Sequence, residues 1–194
     1  MAVKYGAKGE EGIIILNKDG VIIRTLAERD ALLLLKWLSD PRVLEYFAGR
    51  DRPYDLALVR EHFFNEEDDA TCCIIQYDGV DIGYIQFYRT SEQDYEEYGY
   101  SSEELIYGMD QFIGEVDYWN KGIGTKLVNA MAEYLVKEIG VDKIIMDPQT
   151  WNMRALSVYE KCGFRKVKLL PEHEWHEGQM RDCWLIEYDG VSDS

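Results

Sequence analysis

Apolar positions recur at two distinct periods along this chain, and the alternation between the two already outlines its architecture. Alternating or continuous apolar runs at Ile13–Leu16, Val21–Ile23, Thr71–Tyr77, Asp81–Arg89, Leu105–Gly114, Lys143–Asp147, Phe164–Leu170 and Arg181–Tyr188 predict strands. Two hairpins are marked by their turns, Asp19-Gly20 and Asp78-Gly79. Helical spacing predicts helices over Glu28–Ser39, ending before Asp40-Pro41, and over Asp55–Asn65, with Asp55 as N-cap. A third helix spans 124–138, its apolar face formed by Leu127, Met131, Tyr134 and Leu135, and a fourth spans Asn152–Cys162, stopped by Gly163. The order strand 105–114, helix, strand 143–147 is a crossover unit, so those two strands should run parallel. The expected fold is therefore α/β: a central mixed sheet flanked by helices.

No internal repeat and no linker rich in Pro, Gly or Ser divides the chain, so residues 1–194 are expected to form one domain. The first twenty residues are read as an extension that adds a strand. The segment 92–104, in which acidic residues alternate with tyrosines, is read as a loop entering the central strand. It is either a solvated loop or a wall for a cationic sugar, with carboxylates for ammonium groups and tyrosine faces for rings. A charged loop is expected at Glu66–Asp69.

Composition narrows the partners. Against 21 basic residues stand 37 acidic ones, a formal net charge of −16. Such a surface repels nucleic acid and anionic membrane and favours polycations. No apolar run reaches the length of a membrane span, and no apolar signal segment follows the first lysine, so a cytoplasmic protein is expected. Neither the four cysteines nor the three histidines show a metal-binding spacing, and no metal is expected. A monomer or a homodimer is expected.

The chemistry concentrates in two places. Lys121-Gly-Ile-Gly-Thr-Lys126 joins strand 105–114 to the helix that follows. Glycines there let a backbone approach an anion, and the helix start points unpaired N–H groups and its positive dipole end at it. Thr125 and Lys126 stand where a hydroxyl and an ammonium would add to the cradle. The same pattern also serves as a tight turn, and it is neither a P-loop nor a dinucleotide fingerprint. Second, Asp110 interrupts an apolar strand, where an unpaired carboxylate is costly. It either pairs with an arginine such as Arg154 or Arg181, or faces a cationic substrate.

The Gly-x-Gly loop opening a helix, followed by a strand and then Asn152-x-x-Ala-x-x-x-Tyr159-x-x-x-Gly-Phe164, resembles the Gcn5-related N-acetyltransferase (GNAT) superfamily. Within it, Tyr107-Gly-Met-Asp-Gln-Phe-Ile-Gly-Glu115, Gly49-Arg-Asp51, Ile82-Gly-Tyr84 and Leu170-Pro-Glu-His-Glu174 resemble the aminoglycoside 6'-N-acetyltransferases. Trp119 replaces the superfamily's usual Arg or Gln, and Trp151 stands where a polar residue is expected. The resemblance implies acetyl-coenzyme A as co-substrate. Its pyrophosphate would lie on Lys121, Gly122, Ile123, Gly124, Thr125 and Lys126, and its pantetheine arm on Gln111, Phe112 and Ile113. Asn152 would also touch it. Tyr159 would protonate the departing thiolate, Asp110 would meet the amine, and Asp147 would be a second substrate carboxylate.

Glu174, Glu177 and Asp182, near the last strands, either add charge to the pocket or belong to a solvated face. Glu104, Glu177 and Asp182 are carried as substrate candidates. The implied activity is acetylation of the 6'-amine of aminoglycosides, giving resistance. Alternatives are the same chemistry on a polyamine, a protein N-terminus or a siderophore precursor, or a non-catalytic coenzyme A sensor.

Overall fold

The computed structural model describes residues 11–65 and 69–190. The chain forms one eight-stranded sheet in the order β1-β2-β3-β4-β5-β6-β8-β7. Its strands are β1 (Ile14–Lys18), β2 (Val21–Thr25), β3 (Thr71–Tyr77), β4 (Val80–Arg89), β5 (Ile106–Ile113), β6 (Lys143–Met146), β7 (Arg165–His176) and β8 (Gln179–Asp189). Among the described residues only β5 and β6 pair in parallel, as the crossover requires. The α/β reading with a mixed sheet holds, and residues 14–18 do add an edge strand. Residues 1–10 of the expected extension, and Glu66, Glu67 and Asp68 of the expected charged loop, lie outside the described residues.

Strand alternation sorts the core into two faces. Tyr107, Met109 and Ile113 of β5 pack with Leu127, Val128 and Met131 of α5 (Ile123–Tyr134). Phe112 of β5 and Tyr84 of β4 pack on the opposite face with α1 (Ala31–Trp37), α2 (Pro41–Leu44) and α3 (Leu56–Phe63). Asp55 caps α3, accepting from Leu58 N at 2.8 Å. One buried ion pair fastens β2 to the chain entering α1: Arg24 donates to both Asp30 oxygens, at 2.6 and 2.8 Å.

Three expectations need correction. Residues 92–98 are not a loop but a helix, α4 (Glu92–Tyr98). Ser91 and Asp94 form a reciprocal capping box, and Gly99 ends the helix at φ +80°. The expected helix 28–39 is a 3-10 turn followed by α1, and Asp40 then caps a separate α2 with Pro41 in its first turn. The last two strands run well beyond 170 and begin before 181. They make a long hairpin whose turn residues Glu177 and Gly178 both have positive φ, the backbone of a two-residue hairpin loop.

Candidate active site

Between β5 and β6 the sheet opens. The two strands pair only over Ile106–Gly108 and Lys143–Ile145, and then diverge. On its other side β5 stays paired to β4 through Ile113. Thr90 N donates to Ile106 O at 3.0 Å and Gly114 N to Ile82 O at 2.8 Å, so even-numbered residues of β5 bond toward β4. By alternation, Met109, Gln111 and Ile113 turn their backbone groups toward the opening. A cleft of about 590 Å³ fills it, reaching from the start of α5 and the start of α6 (Met153–Lys161) to Tyr46 and Phe47 after α2.

Asp110 faces this cleft from the α1–α3 side. Gln86 Nε2 donates to its Oδ2 at 2.9 Å, and Gln86 Oε1 accepts from Tyr84 Oη at 2.8 Å. The Tyr88 phenol, two residues along β4, lies near Asp110 and favours its ionised form. Gly108 makes room for it: a Cβ there would lie 2.6 Å from the Tyr88 ring. Among the described residues no basic side chain bonds to Asp110; Arg154 stacks on aromatic rings instead. Burial pushes the Asp110 carboxyl above its ordinary 3.8, the Gln86 amide and Tyr88 phenol pull it down, and the charges of Asp147 and Glu174 push it up again. The result is a carboxylate with more proton affinity than a solvent-exposed one.

Asp147 lines the same cleft where the chain leaves β6, with His173 Nε2 at 3.0 Å from its Oδ2. Glu174 joins it from β7, accepting from Gln149 Nε2 at 2.8 Å. On the α5–α6 side, Gln111 Nε2 donates to Tyr159 Oη at 2.6 Å. Burial raises the Tyr159 phenol well above its ordinary value, and the Gln111 amide acts against that rise.

The glycine loop leaves its backbone open to the cleft. Gly122 adopts φ +76° just before α5, a conformation that suits glycine. A Cβ on Gly124 would meet only Val158, at 3.8 Å, so the space above it belongs to the cleft. Gly122, Ile123, Gly124 and Thr125 line that space, and Asn152 faces them from α6, where its Oδ1 caps the helix at Ala155 N. Arg154 lies between the rings of Tyr46 and Trp119, 4.3 and 4.1 Å from their centroids, closing one rim of the cleft.

A family model described as an acetyltransferase (GNAT) domain matches residues 27–171. The chain belongs to this family. Aminoglycoside N(6')-acetyltransferase type 1 of Klebsiella pneumoniae is 31% identical over 157 residues, which cover 79% of this chain and 78% of that protein. Among solved structures, AAC(6')-Ib in complex with ribostamycin and coenzyme A aligns with a TM-score of 0.71 at 28% identity, covering 88% of this chain and 94% of its own. The spermidine N-acetyltransferase of Vibrio cholerae reaches 0.72 at 17% identity, covering 89% and 97%, and shows the shared fold alone.

Within this GNAT chain, several sequence candidates fall outside the cleft. Glu104 precedes β5 at the closed end of the sheet and pairs with Lys143. Glu177 is taken up by Arg50, at 2.6 Å, and that bond holds its carboxyl down at about 2. It pins the β7–β8 turn to the segment after α2. Asp182 accepts from Glu172 N at 2.9 Å, bracing the irregular stretch of β7. Lys126 reaches away to Tyr77, with Nζ–Oη 2.9 Å, and Lys121 lies over the Tyr118 ring. The backbone of Phe112 points toward β4, and only its ring reaches the cleft. The Ile113 carbonyl is occupied by Trp119 Nε1 at 2.7 Å. The residues that the sequence reading did not single out are Gln86, Tyr88, Tyr46 and Gln149; Glu174 it had left undecided.

Proposed function

We propose that this GNAT chain is a single acetyltransferase domain that transfers the acetyl group of acetyl-coenzyme A to the 6'-amine of aminoglycosides. The observation that carries the reading is the half-buried Asp110 carboxylate, without a basic partner among the described residues, set with Asp147 and Glu174 in a cleft beside an unpaired strand edge. Three carboxylates around one cavity suit a substrate with several ammonium groups, and the aromatic rim gives a sugar ring something to pack on. The 31% identity to the aminoglycoside enzyme supports the choice of sugar over linear amine.

The residues present fit acetyl-coenzyme A. Open space over Gly124, the N–H groups at the start of α5 and Asn152 suit a pyrophosphate. The free edge at Met109, Gln111 and the Ile113 N–H suits the amides of a pantetheine arm. The bound thioester supplies an acyl carbon open to attack by an amine. Asp110 draws the ammonium in and accepts its proton, made a better base by burial and by its two acidic neighbours. With the thioester bound there, backbone N–H groups on the β5 edge would stabilise the charge that develops on its carbonyl oxygen. Tyr159 holds a proton at Oη for the leaving sulfur.

Release of free thiol with ribostamycin, kanamycin, a 6'-hydroxyl analogue and spermidine tests the proposal. Turnover with the first two and none with the 6'-hydroxyl analogue is expected; turnover confined to spermidine would contradict it.

Two further results are expected. Gly124→Val should leave the melting temperature nearly unchanged, because an added Cβ meets nothing closer than Val158 at 3.8 Å and the branch beyond it can turn into the open cleft. It should weaken coenzyme A binding by at least about tenfold, ~1.4 kcal/mol, in calorimetry. Raising ionic strength should weaken aminoglycoside binding much more than coenzyme A binding, since only the former relies on attraction to carboxylates. Equal salt slopes for the two ligands would remove the carboxylates as the main substrate contacts.

A further inference from the structure

We infer that Gln111 is a positioning residue for Tyr159: its side-chain amide fixes the direction of the phenol proton and stabilises the phenolate left when that proton departs. The inference rests on the proposed role of Tyr159. Asp110 and Gln111 are neighbours on β5, so alternation sends their side chains to opposite faces of the sheet. Asp110 serves the amine side, and Gln111 reaches the α6 side, where Tyr159 is.

A phenol oxygen has one proton to give and two lone pairs to receive. The Nε2–H of Gln111, at 2.6 Å, takes one lone pair of Tyr159 Oη. Because Gln111 donates, the phenol cannot spend its own proton on that partner, and the O–H is left to point into the cleft. The amide is itself held: Nε2 also lies 3.7 Å from Met146 Sδ, and Oε1 is buried with no hydrogen-bond partner among the described residues.

The step balances simply. As the C–S bond of the tetrahedral adduct breaks, its electron pair stays on sulfur, the Tyr159 O–H bond breaks and an S–H bond forms. The phenolate, still receiving the Gln111 N–H, regains a proton from solvent.

The test compares Gln111→Met, Gln111→Glu and Tyr159→Phe, singly and combined, with thermal melting as a control for folding. Gln111→Met removes the donor at similar volume and should lower kcat roughly tenfold. Gln111→Glu retains the shape but turns the partner into an acceptor, which pulls the phenol proton out of the cleft, and should be slower still. In the Tyr159→Phe background both changes should add almost nothing. A readout independent of turnover is the titration of 3,5-difluorotyrosine placed at position 159, followed by fluorine NMR in the unliganded protein. Gln111→Met should raise its ionisation by about one pH unit.

Equal losses in the wild-type and Tyr159→Phe backgrounds, or an unmoved fluorotyrosine titration, would overturn the role of Gln111. A Tyr159→Phe variant as fast as wild type would instead overturn the role of Tyr159. A folded Gln111→Glu protein with wild-type kcat would also refute the inference.

Discussion

Asp110→Asn is expected to slow acetylation by roughly 10²–10⁴-fold while acetyl-coenzyme A binds as before. Asparagine keeps the shape and one acceptor, so the Gln86 donation at 2.9 Å survives. Charge and basicity are what disappear. The same substitution should not destabilise the fold. The folded carboxyl is raised above its ordinary 3.8, chiefly by burial, so the unfolded chain gives up this proton first as pH rises. Ionised Asp110 therefore costs stability across the window from the ordinary value up to the raised one, and the cost persists above it. A neutral asparagine avoids it. The variant should thus melt no lower than wild type at pH 7 and yet barely turn over. In wild type, kcat/KM should fall on the acid side as Asp110 becomes protonated, with its limb above the ordinary aspartate range. Steady-state rates of the two proteins across pH, alongside melting curves, check both halves.

The second large effect concerns stability. Arg24 and Asp30 are 4% and 1% exposed and share two hydrogen bonds, with Ala27 N also donating to Asp30 Oδ2 at 2.8 Å. Asp30→Ala would leave a buried guanidinium with Asp81, at 3.1 Å, as its one remaining carboxylate among the described residues. Breaking one side of a buried pair costs about 3–5 kcal/mol. The remaining contact to Asp81 places this case toward the lower end, and a fall in melting temperature of roughly 6–12 °C is expected. The variant should keep its substrate preferences, because the pair lies on the β2 side of the sheet, away from the cleft. A melting temperature within a degree or two of wild type would show that the pair is not what fastens β2 to α1.

How far the sequence foretold this picture depends on the range of each interaction. Strands β2 to β6, α5 and α6 were legible because each carries its own periodicity and its own punctuation, such as Asp78-Gly79 or Gly163. Helix α4 was misread because its tyrosines and carboxylates mask any apolar face. Its signal lay at the ends instead, Ser91 three residues before Asp94 and Gly99 after the last turn. In the site, Asp110, Asp147, Gly122, Gly124, Asn152 and Tyr159 do meet in one cleft, and the family resemblance had named them.

Sequence could not separate Glu174 from Glu177, three residues apart on one hairpin. Which of them faces the cleft depends on the irregular register of β7 and on Arg50, more than a hundred residues away. Glu104 was lost for a similar reason, since Lys143 lies across the sheet from it. Gln86 and Tyr88 oppose Asp110 and Gly108 only through the β4–β5 register. A polar Gln86 between Tyr84 and Tyr88 in an apolar strand was the available hint.

The most direct test of the proposed function is the position of the new acetyl group. Ribostamycin incubated with the protein and acetyl-coenzyme A should yield a singly acetylated product, and two-dimensional NMR should place the acetyl on the 6'-nitrogen. An acetyl group on any other nitrogen, or intact ribostamycin while a different amine is acetylated, would contradict the account.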